Sequence, residues 1–506
     1  MLESENLFDI LFANVDPDKI CIETLNGRTL SYRELMEGSG RYANALISLG
    51  VTAGDRVAVQ VDKSVEKLLL YLASLRTGAV FLPLNTAYTP SELSFFIGDA
   101  EPSLIVCREE MLGSLSPVAK TVGARLVTLE SNSTGTLVEV ASEQKADFKT
   151  VKRKADDLAA ILYTSGTTGR SKGAMLSHGN LASNVKALHR VWHYRENDVL
   201  LHALPIFHTH GLFVACNLTF YSGASMIFFG RFDANDLIQI MPRATVMMGV
   251  PTFYTRLLAE SEFTKDTAKK MRVFISGSAP MTVEVHKQFE ARTGMIVLER
   301  YGMTEISMQC SNPFAGERRQ GTVGFPLPET EARVANPKTG KLLEPDEVGV
   351  LEVRGPNVFQ GYWRLPEKTA EEFRDDGFFI TGDLATLSKD GYVTIVGRSK
   401  DLIISGGLNV YPKEVEGVLN KFAGVRESAV VGVPHRDWGE TVVAVIVPEG
   451  EIDETELISF LKENLAAYKL PRHIAYQDEL PRNTMSKVQK QVLRNEFNDL
   501  FSNLPS

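Results

Sequence analysis

The chain has little cysteine, no concentrated block of one charge and no long apolar run, and each absence removes a class of protein. Four cysteines, Cys21, Cys107, Cys216 and Cys310, stand far apart in 506 residues, with no C-x-x-C pair. That spacing gives neither a zinc site nor a disulfide framework, and it suits a reducing compartment. Net charge is −9, from 54 basic and 63 acidic residues. A mildly acidic chain without a basic block argues against broad nucleic-acid binding. It leaves room for a local basic pocket around a phosphorylated ligand. The apolar runs are broken by polar residues well short of the length that spans a bilayer. The first residues, Met1-Leu2-Glu3-Ser4-Glu5, carry acids where a signal or transit peptide would carry bases. The expectation is a cytoplasmic protein without a membrane span.

What is present is ordinary for an enzyme: 44% apolar and 23% charged residues. A chain of this length exceeds a typical single core, so two or more domains are expected. Asn26-Gly27 marks a hairpin turn. Ser31 caps a helix with Leu35, Tyr42, Leu46 and Leu49 on one side, and Val65, Leu68, Leu69 and Leu72 mark a second helix. Short apolar runs at 57–61 and 79–84 alternate with these helices, which predicts layered, mostly parallel α/β structure. Residues 100–150 read as less regular, with exposed connections at 131–135 and 142–154. Alternation resumes from 158 to 302. After 320 the strands shorten and turns multiply. Beyond 397 comes a compact pattern: Pro412 opens a helix with Val415, Val418, Leu419 and Phe422 on one face, strands follow at 428–433 and 442–447, and Leu457, Ile458, Leu461 and Leu465 mark another helix. The fold class is α/β. A large N-terminal domain of layered sheets, residues 1–397, precedes a small α+β C-terminal domain, residues 398–506.

One stretch carries clear chemistry. An apolar run at 158–163 leads into Thr164-Ser165-Gly166-Thr167-Thr168-Gly169-Arg170-Ser171-Lys172-Gly173. Glycines allow tight turns and close backbone approach to a ligand. Exposed N–H groups, hydroxyls and a lysine together make an anion site. A plain Gly/Ser/Thr linker would need neither the preceding strand nor the Lys-Gly at its end. The G-x-x-x-x-G-K-[ST] phosphate loop is absent, because Lys172 lies between Ser171 and Gly173. The stretch reads as a cradle for nucleotide phosphates.

Four further motifs follow in order: Glu299-Arg300-Tyr301-Gly302-Met303-Thr304-Glu305, Thr381-Gly382-Asp383, Gly397-Arg398-Ser399-Lys400-Asp401 with Gly406-Gly407, and Pro481-Arg482-Asn483-Thr484-Met485-Ser486-Lys487. With the phosphate stretch, this ordered set resembles the adenylate-forming superfamily of acyl-CoA synthetases, firefly luciferases and peptide-synthetase adenylation domains. The resemblance spans nearly the whole chain. It implies that the C-terminal domain is mobile and that ATP, Mg2+ and coenzyme A are used. It also implies two steps: a carboxylate attacks the α-phosphate of ATP to give an acyl-adenylate, and the CoA thiol then displaces AMP.

The resemblance assigns roles that fit the chemistry of the residues. Ser165, Gly166, Thr167, Thr168, Gly169 and Lys172 would hold the β- and γ-phosphates. Thr164 and Glu305 match the magnesium positions, and oxygen ligands suit that cation. Taken alone, Glu305 reads equally as an acid at a helix N-terminus. Ser278 and Ala279, within Gly277-Ser278-Ala279-Pro280, and the run Glu299, Arg300, Tyr301, Gly302, Met303 and Thr304 resemble the adenine side of the site. Asp383 and Arg398 match the ribose contacts. Lys487 matches the lysine that stabilises charge in adenylation, with Lys490 as a fallback. Ser486 stands where the family commonly has glycine. Lys400 matches the hinge at which the lysine-bearing domain departs after adenylation.

The acid pocket is marked by Leu204-Pro205-Ile206-Phe207-His208-Thr209-His210-Gly211, where peptide synthetases usually carry an aspartate. His208 resembles the residue gating the acyl site of acyl-CoA synthetases, and alone it also reads as a core histidine. Arg231 lies between Phe229-Gly230 and Phe232. A cation in apolar company needs an anionic partner, although a surface arginine at a strand end has the same spacing. Phe229-Gly230-Arg231-Phe232, together with Ser276-Gly277-Ser278 and Arg300 to Glu305, resembles malonyl-CoA synthetases. Arg231 and Ser276 are then set against the free carboxylate, with malonate favoured and methylmalonate also open, while Met303 and Ile306 limit the pocket to short acids. The alternatives are a short- or medium-chain fatty or aryl acyl-CoA ligase, a luciferase-type oxygenase, a ligase that uses a carrier protein, and a non-catalytic nucleotide-binding regulator.

The hinge assignment is testable. Proline fixes φ, so Lys400→Pro is expected to impair thioester formation more than pyrophosphate release. Equal loss of both half-reactions would remove the hinge role.

Overall fold

The computed structural model describes residues 4–164, 171–405, 408–435, 438–483 and 487–501. Contacts group the chain into two units. The first is Met1–Met281, Val285–Glu331 and Val353–Phe379; the second is Thr282–Glu284, Ala332–Glu352 and Ile380–Ser506.

Alternating strands and helices build the first unit, as the sequence pattern predicts. Ser31 forms a capping box with Glu34 and opens the helix Tyr32–Ser48. The hairpin before it pairs Ile20–Thr24 with Thr29–Ser31. Among the described residues one sheet has nine strands, ordered Phe325–Pro326, Ser307–Ser311, Leu298–Met303, Val273–Ser276, Val246–Gly249, Val199–His202, Ser225–Phe228, Ile20–Thr24 and Thr29–Ser31. The six from Leu298–Met303 through Ile20–Thr24 are parallel to their neighbours. A second sheet runs Arg125–Thr128, Leu104–Cys107, Arg56–Gln60, Val80–Pro83, Leu158–Thr164 and Lys172–Ser177. Only its last pair is antiparallel. Phe274, Phe289, Phe263 and Tyr254 fill the core beside the larger sheet, with the Phe274 and Phe289 ring centres 4.9 Å apart.

One expectation needs correction here. Residues 100–150 are regular: Leu104–Cys107, Leu112–Val122, Arg125–Thr128 and Thr136–Ser142 continue the α/β alternation. Their strands are four residues long, too short to show a period. The expected helix at Val65–Thr77 is present and buried all round. Its charged members are compensated: Glu66 pairs with Arg28 at 2.7 Å, and Lys67 donates to the Val61 carbonyl at 2.8 Å.

In the second unit, strands Leu408–Val410, Ile403–Ser405, Gly439–Pro448 and Val425–His435 form a sheet, with His473–Tyr476 joined to Gly439–Pro448. Alternation assigns its faces. Val430, Val442, Ala444 and Ile446 pack with Val415, Leu419, Leu457 and Leu461 from two helices. Val431, Val443, Val445 and Val447 pack on the other side with Leu493. Ile458, expected on the buried face, is exposed. A four-stranded sheet runs Glu331–Ala335, Gly349–Arg354, Phe379–Leu387 and Val393–Arg398. Among the described residues no helix is long and apolar enough to cross a membrane. All four cysteines are free and buried.

One packing contact bears on the site. The segment His210–Cys216 is π-helical, a form often found at functional positions. A Cβ on Gly211 would lie 2.0 Å from the Pro205 carbonyl oxygen. Gly211→Ala is therefore expected to cost about 1–3 kcal/mol and to lower the melting temperature, because the turn carrying His208 and His210 must open.

Candidate active site

Parallel strands all end on the same edge of their sheet, and open α/β sheets bind ligands at that carboxyl edge. Here five neighbouring strands deliver the candidate residues to it. Val199–His202 leads to His208 and His210, Ser225–Phe228 to Arg231, Val246–Gly249 to Phe253, Val273–Ser276 to Ser278, and Leu298–Met303 to the turn Thr304–Ile306.

Arg300 is the unusual member of this set. It is 3% exposed, and among the described residues its Nε and Nη2 have no hydrogen-bond partner. A Cβ on Gly277 would sit 2.3 Å from the guanidinium carbon, so a side chain there would displace the arginine. Burial pushes its pKa down to about 9, against the pull of Tyr254 and Glu299, and it remains a cation at neutral pH. Other orphaned polar atoms belong to the same edge: Ser276 Oγ, Thr209 Oγ1 and His210 Nε2. His210 Nδ1 lies 3.3 Å from Ser278 Oγ. Burial first, then Arg300 and two other histidines, hold His210 neutral. Unpaired buried charge is costly, so an anion beside Arg300 would relieve that cost. His208 is half-buried, with its carbonyl accepting from the Leu212 N–H at 3.1 Å. Arg231 is exposed and has no hydrogen bond or ion pair among the described residues. The apolar company expected for it belongs to its neighbours: Phe229 is buried and Phe232 stacks on Phe253 at 4.0 Å.

A second cluster lies where the smaller sheet of the same unit ends. Thr164 pairs with Lys172 across the last rungs of an antiparallel ladder. Ser165, Gly166, Thr167, Thr168 and Gly169, expected at the phosphates, lie outside the described residues. Thr164 Oγ1 is 3.3 Å from Glu305 Oε1. This hydroxyl and carboxylate are the hard oxygen donors that suit Mg2+, which keeps waters and takes other ligands from phosphates. Among the described residues no group of three or more His, Cys, Asp or Glu side chains is placed to hold a metal alone. Lys172 is buried and its Nζ lies 2.8 Å from Glu372 Oε1. Tyr362 Oη lies 2.7 Å from Glu372 Oε2 and 3.1 Å from Glu305 Oε1. Sequence reasoning missed Tyr362 and Glu372, which no spacing ties to residues some 200 positions away.

On the expected adenine side, Ser278 holds a positive φ of 70° beside Ala279. Both carboxylate oxygens of Glu299 are engaged: the Met281 N–H donates at 3.1 Å, and His286 Nε2 lies at 3.1 Å. Glu299 thus braces the loop after Val273–Ser276. Tyr301, Gly302 and Met303 complete their strand, and Thr304 begins the turn to Glu305.

Within the second unit, Asp383 and Arg398 are cross-strand partners, with Arg398 Nε 2.8 Å from Asp383 Oδ1. Lys400 is exposed in the turn Ser399–Asp401. Lys487 is exposed; its N–H donates to Asn483 Oδ1 at 3.0 Å and its carbonyl accepts from the Asn483 N–H at 2.9 Å. Ser486 lies outside the described residues. Lys490 opens the helix Lys490–Phe497 with its Nζ 2.6 Å from Glu416, so its charge is already matched.

Comparison with known proteins shows the family. The family model for AMP-binding enzymes matches residues 11–363, and that for the AMP-binding enzyme C-terminal domain matches 414–487. A malonate–CoA ligase of Arabidopsis thaliana is 34% identical over 94% of this chain and 86% of its own. A feruloyl-CoA synthase of an Amycolatopsis species is 35% identical over 93% and 94%. The crystal structure of ATP-bound MatB from Rhodopseudomonas palustris superposes with a TM-score of 0.97 at 54% identity, covering 98% of this chain and all of that one. The chain belongs to the AMP-binding, adenylate-forming enzyme family.

Proposed function

We propose that the chain is an ATP-dependent malonate–CoA ligase that forms malonyl-adenylate and then malonyl-CoA. Identity alone does not choose the acid: relatives at 32–36% identity are named for malonate, ferulate and long-chain fatty acids. The observation that carries the choice is Arg300, a buried cation with two unpaired nitrogens at the pocket edge. A monocarboxylic acid puts its one charge at the reacting end and leaves such a cation uncompensated. Malonate has a second carboxylate to place against Arg300, with Arg231 and Ser276 as further donors.

In the first step a malonate carboxylate oxygen bonds to the α-phosphorus while the bond to the bridging oxygen breaks and pyrophosphate leaves. Lys487 stabilises the charge that builds on the carboxylate and α-phosphate oxygens. Lys172 and the glycine-rich stretch hold the departing phosphates. Thr164 and Glu305 would hold magnesium, which would supply neutralisation of charge on the phosphate oxygens. Asp383 accepts from ribose hydroxyls, and Arg398 keeps its carboxylate oriented. Ser278, Ala279 and Tyr301 line the adenine side, and His208 gates the acyl site. Residues 398–506 then move about Lys400, the CoA thiolate attacks the acyl carbon, and AMP leaves. The four free, buried cysteines support a cytoplasmic setting, which fractionation of the native cells would test.

A panel of malonate, methylmalonate, acetate and butyrate with ATP and CoA, read by AMP release, tests the acid. Malonate is expected to lead, and preference for butyrate would overturn the assignment. Truncating one partner of a buried charge pair costs about 2–5 kcal/mol. Arg300→Gln is therefore expected to lower kcat/KM for malonate by roughly 30-fold or more, with acetate little affected. Arg231→Leu is expected to lose malonate and gain activity on a short monocarboxylate. Unchanged malonate kinetics in both variants would sink the dicarboxylate reading.

A further inference from the structure

The segment 203–210, which carries His208 and His210, is closed at its neck by a histidine with no assigned role. His202 ends the parallel strand Val199–His202 and is 1% exposed. Its Nε2 lies 2.8 Å from the carbonyl oxygen of Gly211, nine positions on. Its Nδ1 lies 2.8 Å from Lys63 Nζ, which also donates to the His202 carbonyl at 2.8 Å. Lys63 follows the strand Arg56–Gln60 of the smaller sheet, and its Nζ stands 4.3 Å from the centre of the Phe228 ring. These partners fix the proton on the imidazole. Burial, then the charge of Lys63, pushes the His202 pKa down to about 3, so the ring is neutral and has one N–H. A carbonyl only accepts, so that N–H sits on Nε2 and donates to Gly211. Cys216 Sγ, 3.3 Å from the same nitrogen, is a weak second acceptor. Nδ1 is then bare and accepts from Lys63. Burial lowers Lys63 to about 7, and its charged and neutral forms both have N–H groups enough for the two acceptors.

We propose that His202 and Lys63 are positioning residues for the acid pocket, a role that rests on the acid-site reading of 203–210: Lys63 orients the His202 ring, and His202 ties Gly211 to the strand end and so sets the shape of the segment between them. That segment is not held by its own inner groups. Among the described residues Thr209 Oγ1 and His210 Nε2 have no hydrogen-bond partner. Groups left open for a ligand must be held from behind, and the bond from His202 to Gly211 does so at the start of the π-helical turn His210–Cys216. Lys63 comes from the other sheet, so the neck is fixed from two directions. Neither residue needs to touch the acid.

Kinetics on the acid that the parent prefers, with ATP and CoA, test this together with the ring 15N shifts of His202, whose resonances are identified by their loss in His202→Leu. The parent is expected to show a protonated Nε2 and a bare Nδ1. Lys63→Met keeps the stem over Phe228 and removes the donor. It is expected to lower kcat/KM for the acid about tenfold, the worth of one buried hydrogen bond, mainly through the KM of the acid and with the KM of ATP unchanged. Lys63→Arg, which still donates, is expected to return toward the parent. His202→Leu removes both contacts and is expected to lose more. A parent ring protonated on Nδ1, an unchanged acid KM in Lys63→Met, or no recovery in Lys63→Arg would each overturn the proposal. So would an equal rise in the KM of ATP, the mark of general damage. A preference for another acid would overturn the malonate assignment and leave this test standing. A parent that activates no acid would overturn the acid-site reading on which both rest.

Discussion

The candidate site depends on the parallel pairing of five strands from Val199–His202 to Leu298–Met303. Parallel strands must be joined by crossovers, and each crossover begins at the same edge. Side chains from residue 208 to residue 305 therefore meet without any local signal bringing them together. Hydrophobic packing of Phe274, Phe289 and their neighbours holds that edge rigid beneath them.

Charge is handled in two ways in this unit. Lys172, Glu372, Tyr362 and Glu305 satisfy one another. Their network is compensated in the free protein, and a ligand must compete with it. Arg300 is only partly compensated: among the described residues two of its nitrogens have no hydrogen-bond partner. That arrangement stores an unfavourable interaction that an anion relieves on binding. In the proposed roles, an internally paired phosphate site and an open acid site give different energetics. The first exchanges partners and the second gains one.

Much of this architecture is written in local signals. Ser31 and Glu34 announce the start of a helix, Asn26-Gly27 a turn, and Pro412 another helix, and each stands where its chemistry places it. The order of glycine-rich and charged motifs identifies the enzyme family. Four things are not legible. Strands of four residues between 104 and 128 carry no period. The all-round burial of Val65–Thr77 depends on what surrounds it, which no amphipathic pattern encodes. Arg300 reads as one more polar residue of a motif, because burial without a partner is a property of the folded neighbourhood. The Tyr362–Glu372–Lys172 contacts join segments that only tertiary structure brings together. Arg231 shows the reverse error: aromatic neighbours in sequence did not bury it.

The antiparallel pair Leu158–Thr164 and Lys172–Ser177 has a consequence for the glycine-rich stretch between them. Pairing of Thr164 with Lys172 leaves seven residues between the last paired positions. The entropy of bringing those ends together is met by the ladder and its core contacts before any ligand arrives. In the proposed role of this stretch, substitutions among the seven alter what a nucleotide touches while the register of Thr164 opposite Lys172 is kept. On that reading selection can retune the grip on phosphate one residue at a time, because the anchor points are held by a different set of interactions.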